Sequence, residues 1–158
     1  MKRITSLLGI LAMITVFLSC SKKDNQLPTD AVYSYWTVNS DTIAYSNIVV
    51  NSAPILTELR VISLPLSESG LSFAFQMGSL PHSGTYKVDY VGSGPKMCNV
   101  YVDYNGATYN VDPMYNTTTI KVSTLSNGKG KYALEPTWFY RDLVPSDSIL
   151  VEGVIVEP

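Results

Sequence analysis

From about residue 31 onward, apolar side chains recur at every second position, in short runs bounded by Gly, Pro, Asn and Ser. A period of two sends alternate side chains to opposite faces, which is the pattern of half-buried strands. In LSFAFQM, Leu71, Phe73, Phe75 and Met77 share one face and Ser72, Ala74 and Gln76 the other; in TYKVDYV, Tyr86, Val88 and Tyr90 oppose Thr85, Lys87 and Asp89. The pattern predicts strands near 31–38, 42–50, 57–64, 71–77, 85–91, 97–104, 107–111, 118–124, 131–134 and 149–156. Residues 52–64 fit two periods, because Ile55, Leu59 and Ile62 also lie on a helical stripe. Asn105-Gly106 predicts a two-residue hairpin, since Asn and Gly tolerate the positive φ of a type I′ turn. Residues 78–84 (GSLPHSG) and 127–130 (NGKG) predict further reversals. Strands that follow one another at turn spacing, without a strand–helix–strand rhythm, predict an all-β fold. The expected architecture is an antiparallel β-sandwich of about 8–10 strands, with a small β-barrel as the alternative.

The first residues break this pattern. Lys2 and Arg3 precede an apolar run from Ile4 to Leu18, followed by the small residue Ser19 and then Cys20. The run is shorter than the ~20 residues a bilayer span needs, and its layout is that of a secretory signal. Phe17-Leu18-Ser19-Cys20 resembles the lipobox of bacterial lipoproteins, with Phe17 where Leu is commonest. The resemblance implies cleavage before Cys20 and acylation of its sulfur, so that residues 1–19 are a signal peptide and Cys20 is the lipidation site. Residues 20–30, polar after the cysteine and stiffened by Pro28, are then a tether, and residues 31–158 a single β-sandwich domain. Several acyl chains at about 0.8 kcal/mol per buried methylene hold such a domain on a membrane. Ser21-Lys22-Lys23-Asp24-Asn25 resembles the polar segment that follows the acylated cysteine in lipoproteins of Bacteroidetes.

Composition narrows the partners. Acidic residues outnumber basic ones, 13 to 11, and two of the basic ones lie in the signal. There is no basic cluster, which excludes nucleic acid as an expected partner. Charged residues make up 15% of the chain, against about 25% in ordinary proteins, so the solvent faces must be built largely from Ser, Thr, Asn and Tyr. With Cys20 acylated, Cys98 has no disulfide partner. It alternates with Val100 and Val102 onto one face of MCNVYVDY, as a core thiol would.

Candidate chemistry is sparse. His82 is the only histidine, and its neighbour Ser83 points the other way in an extended chain, so a hydrolase would need a remote serine and carboxylate. Asp103, Asn105, Asn110 and Asp112 carry hard oxygens suited to calcium, but without the spacing of a calcium loop they read as hairpin residues. Neither a metal site nor a cofactor is expected, and no catalytic residue is assigned. Eleven tyrosines and two tryptophans supply flat rings that either pack a pleated core or, if exposed, stack on sugar faces. Trp138, Tyr140 and Arg141, in the interrupted stretch TWFYRD after Pro136, form the expected ligand platform. Asp41-Thr42-Ile43 and Asp147-Ser148-Ile149 resemble O-glycosylation acceptors of Bacteroidetes, with Thr42 and Ser148 as the modified residues. Asn116-Thr117-Thr118 matches the N-glycosylation sequon.

YSYWTVNSDTIAY, SGTYKV, NGATYN with TTIKVS, and the closing VEGVIVE together resemble small β-sandwich lipoproteins of Bacteroidetes, with Asn39-Ser40 where those proteins more often have Asn-Gly. That resemblance implies a non-catalytic, lipid-anchored envelope protein, in the outer membrane, whose sandwich serves binding or assembly. Its partners would be the membrane, through the anchor, and a glycan or other envelope proteins.

Overall fold

The computed structural model describes residues 33–63, 69–91, 94–114 and 116–158. Cys20, the signal and the tether lie outside the described residues. Eleven strands are described: β1 (Tyr35–Val38), β2 (Asp41–Thr42), β3 (Tyr45–Ala53), β4 (Leu56–Ser63), β5 (Gly70–Phe75), β6 (Gly84–Val88), β7 (Met97–Tyr104), β8 (Ala107–Asn110), β9 (Thr119–Thr124), β10 (Gly130–Arg141) and β11 (Ser148–Val156). The fold is all-β. The segment that fits both periods is strand: Leu59 and Val61 face the core, and the exposed Ile55 lies in the β3–β4 turn.

The sheet runs β2-β1-β11-β10-β9-β6-β7-β5-β4-β3, with β8 bridging β7 and β10. Strands β6, β7, β8, β10 and β9 therefore close a five-stranded barrel. From it, β5-β4-β3 and β11-β1-β2 extend as two wings that pack face to face like a sandwich. Every pairing is antiparallel except the short β6–β7 ladder, Lys87↔Met97 and Val88↔Cys98. Sandwich and barrel, the two expected architectures, thus occur in one body.

The core lies between the wings and inside the barrel. Leu59, Val61, Leu71, Phe73, Val102, Tyr132, Leu134, Phe139 and Val151 have no exposed surface. Trp36 of β1 reaches across to β4, where its Nε1 donates to Ser63 Oγ at 3.2 Å. Gly153, paired with Trp36, leaves that indole its room: a Cβ there would sit 2.9 Å from the Trp36 Cβ. Tyr132 stands between Phe73 and Phe75, with centroids 6.3 and 5.9 Å away. Its hydroxyl lies 2.8 Å from the Pro81 carbonyl and 2.7 Å from Glu157 Oε1, so this deeply set phenol still finds acceptors. Cys98 is a free thiol in the core, as its alternation predicts, and burial pushes its pKa well up.

Turn chemistry follows the sequence closely. Asn105 (φ 52°) and Gly106 (φ 75°) make the expected type I′ reversal between Tyr104 and Ala107. Asn39 (φ 51°) and Ser40 (φ 74°) make another, between β1 and β2.

Candidate functional site

The strand predicted over 131–134 does not stop there; β10 continues to Arg141. On β10 the pairing with β11 goes from Leu134↔Gly153 to Thr137↔Val151, three steps on one strand against two on the other. One extra residue is therefore inserted at Glu135-Pro136, a β-bulge. Proline suits the position because it has no N–H to lose from the ladder. Thr137 Oγ1 donates to the Glu135 carbonyl at 2.7 Å and holds the bulge closed.

The bulge decides which side chains meet water. Before it, Tyr132 and Leu134 point inward. Uninterrupted alternation would send 136, 138 and 140 inward as well. The extra residue instead sends Thr137 and Phe139 into the core and turns Trp138 and Tyr140 outward. Trp138 is 52% exposed, whereas the other indole, Trp36, is wholly buried.

Trp138 and Tyr140, with Pro136 and Thr137, form one wall of a groove of about 250 Å³. Asp112, Asn116, Thr117 and Thr118 form the other. This second wall is shaped by its own side chains. Asp112 Oδ1 accepts the Met114 N–H at 2.7 Å, and Asn116 Oδ1 accepts the Thr118 N–H at 2.9 Å. Asn116 Nδ2 donates to the Val88 carbonyl at 2.7 Å and ties the loop to β6. The result is a shallow cleft with an aromatic side and a hydroxyl and carboxylate side. It is smaller than the roughly 300–1,000 Å³ of pockets that enclose drug-sized ligands.

A second groove, of about 350 Å³, lies on the outer face of β5, β7 and β8, lined by Leu56, Ala74, Gln76, Tyr90, Val91, Asn99, Tyr101 and Asn110. The two grooves meet. Asn110 of the second is paired with Tyr140 of the first and with Tyr101 on its other side. Directly paired residues share a face, so Tyr101, Asn110 and Tyr140 form a continuous outward row across β7, β8 and β10.

Of the expected platform, the structure brings Trp138 and Tyr140 together and places Arg141 elsewhere. Arg141 falls on the alternate face, where its guanidinium stands 3.8 Å from Asp142 and 3.7 Å from Asp147. The groove's second wall is not predicted by the sequence, in which Asp112 reads as a hairpin residue and Asn116 only as part of a sequon. The one available signal was Asp112-Pro113 followed closely by Asn116-Thr117-Thr118, a polar loop with two Asx residues.

His82 is exposed, and its side chain has no hydrogen-bond partner among the described residues; only its carbonyl is engaged, by Thr124 Oγ1. Among the described residues no serine or carboxylate is hydrogen-bonded to its ring, the contact a relay requires. Asp103 accepts from Arg60 at 2.8 Å and from Thr108 Oγ1 at 2.6 Å, a hairpin role. Among the described residues no cluster of His, Cys, Asp or Glu has the arrangement of a metal site. Thr42 is exposed on β2 and Ser148 half-buried at the start of β11. No described helix is long and apolar enough to cross a membrane. Comparison with protein-family models, with curated proteins and with solved structures gives no match for this chain.

Proposed function

We propose that this chain is a lipid-anchored envelope protein, held through Cys20, whose β body binds a glycan without transforming it. The observation that carries the reading is the bulge at Glu135-Pro136, which sets Trp138 and Tyr140 outward over a groove of hydroxyls and carboxylate. Exposing a tryptophan forfeits a large burial gain, of the order of 2–3 kcal/mol, and a bulge that does so at one strand position suits a binding surface. A sugar ring offers an apolar face to a flat indole and a rim of hydroxyls to Asp112, Asn116, Thr117 and Thr118. The shallow cleft suits one face of a chain of such rings better than an enclosed small molecule. The exposed, unpartnered His82 speaks for binding over hydrolysis.

A glycan array followed by calorimetry on the best hit tests this. A ligand should be found, and Trp138→Ala should weaken it about 30-fold, the loss expected of a central aromatic contact. Trp36 emission should be unchanged, as a check on folding. Absence of any glycan signal, or a ligand indifferent to Trp138→Ala, would remove the proposal.

A further inference from the structure

The two edges of the sheet are treated differently. At one end β2 is only two residues long and carries Asp41, a short and charged edge of the kind that resists pairing. At the other end β3 is nine residues long and, among the described strands, pairs only with β4. From Tyr45 to Ala53 it contains no charged residue and no proline. Its single irregularity lies at one extremity, between Tyr45 and Asn47. Beyond that point the edge is long, uncharged and open, the form that templates another strand.

The occupant is written in the strand itself. Residues 46–52 read Ser-Asn-Ile-Val-Val-Asn-Ser, nearly the same in both directions. We propose that β3 pairs antiparallel with β3 of a second copy about a two-fold axis through Val49. Ile48 then faces Val50 of the partner subunit and Asn47 faces Asn51 of the partner subunit, within the regular part of the strand that begins at Asn47. A two-fold interface must be complementary to itself, and this register sets apolar against apolar and amide against amide. Shifting the axis to Ile48 or Val50 sets asparagine against valine, and a slip by one residue turns the two cores to opposite faces.

Burial points the same way. Ile48 and Val50 are paired with Val61 and Leu59, which are fully buried, so they lie on the core side of the sheet. Ile48 packs on the core, yet Val50 is 38% exposed, because the apolar row reaches the edge and stops. In the dimer the row continues, with Val50 against Ile48 of the partner subunit. The Ile48 N–H is already taken by Asn47 Oδ1 at 2.9 Å, so a side chain fills in where no neighbouring strand is present. The proposal is independent of the glycan reading, since β3 lines neither groove.

The test uses the full chain in mild detergent with Cys20→Ser, which leaves buried Cys98 as the only native thiol. Val49→Cys should close an intermolecular disulfide under mild oxidation, because opposed Cα atoms lie about 4.5–5.5 Å apart. Asn51→Cys should not, since those two residues would be about 13 Å apart along the strands. Asn47→Lys with Asn51→Lys should give monomers by sedimentation, and Asn47→Lys with Asn51→Glu should restore dimers, with unchanged circular dichroism throughout. A chain that sediments as a monomer at its highest soluble concentration, or equal crosslinking at 49 and 51, overturns the proposal.

Discussion

Ser40 has φ of 74°, a left-handed conformation that a Cβ makes costly by roughly 1–2 kcal/mol. Its neighbour is the residue that is pinned: Asn39 N–H donates to the Leu150 carbonyl at 2.8 Å, and Asn39 Oδ1 accepts the Leu150 N–H at 2.9 Å. These contacts fix the β1–β2 reversal against the end of β11, and Ser40 follows its neighbour. Glycine at 40 would relieve the strain but lose about 0.5–1 kcal/mol of unfolded-state entropy. The balance predicts that Ser40→Gly stabilises by about 0.5 kcal/mol, raising Tm by ~2 °C. Differential scanning calorimetry reads this, and a lowered Tm would show that the serine makes a contact outweighing its strain. Asn105-Gly106 was legible because both residues belong to a known turn type. Asn39-Ser40 and Asp142-Leu143 were not legible as turns of the same kind, because serine and leucine at φ of 74° and 59° are tolerated only when their surroundings impose it.

At the scale of the element, β10 carries the site, and its register is the sensitive part. Deleting Pro136 would remove the one extra residue and restore plain alternation, while Thr137, Trp138 and Phe139 keep their β11 partners and their faces. Inserting one alanine between Thr137 and Trp138 would instead exchange the faces of everything after it, driving Trp138 into space shaped for Phe139 and putting Phe139 into water. Loss of the Phe139 anchor alone costs about 3–5 kcal/mol, so the insertion should abolish cooperative unfolding or lower the urea midpoint drastically, whereas the Pro136 deletion, which keeps Phe139 inward, should lower it only modestly. In a Trp36→Phe background, the remaining Trp138 emission should be red-shifted and open to acrylamide in the parent chain; blue-shifted, protected emission would mean that the indole is not outward. Most strands were legible because alternation is a local property. β7 runs over Met97–Tyr104 as the pattern predicts, and β5 and β9 nearly so. The end of β10 was not, because Glu135-Pro136 reads as a break in any local scheme, and only the β11 register reveals one added residue. The groove was half legible for the same reason. The rings of Trp138 and Tyr140 are visible in sequence, but the face they take depends on that insertion, and the wall from Asp112 to Thr118 is brought up by the barrel's closure.

For the whole molecule, low charge moves the pH response to the alkaline side. The shifts fall on weak acids that the fold keeps neutral. Burial raises the Cys98 thiol, opposed by the Ala74 backbone N–H. Burial, then Glu157, raises Tyr132; burial, then Glu58, raises Tyr101; burial, then Asp147, raises Tyr109; and burial, then Glu152, raises Tyr35. Each folded value lies above the unfolded one, so the unfolded chain gives up these protons first. The stability they contribute is therefore present in full below the ordinary values, near 8.5 for a thiol and 10 for a phenol, and is lost as pH rises from there through the folded values. The groups sit on β1, β7, β8 and β10, so the loss is spread over one wing and the barrel. Urea midpoints should be level from pH 7 to about 8 and then fall continuously to pH 11. Cys98→Val, which keeps an apolar side chain at that core position, should remove the early part of the fall, between about pH 8.5 and 10, and leave the later, phenolic part. A midpoint that holds to pH 11, or a Cys98→Val curve that overlays the parent throughout, would contradict this account of the buried thiol and phenols.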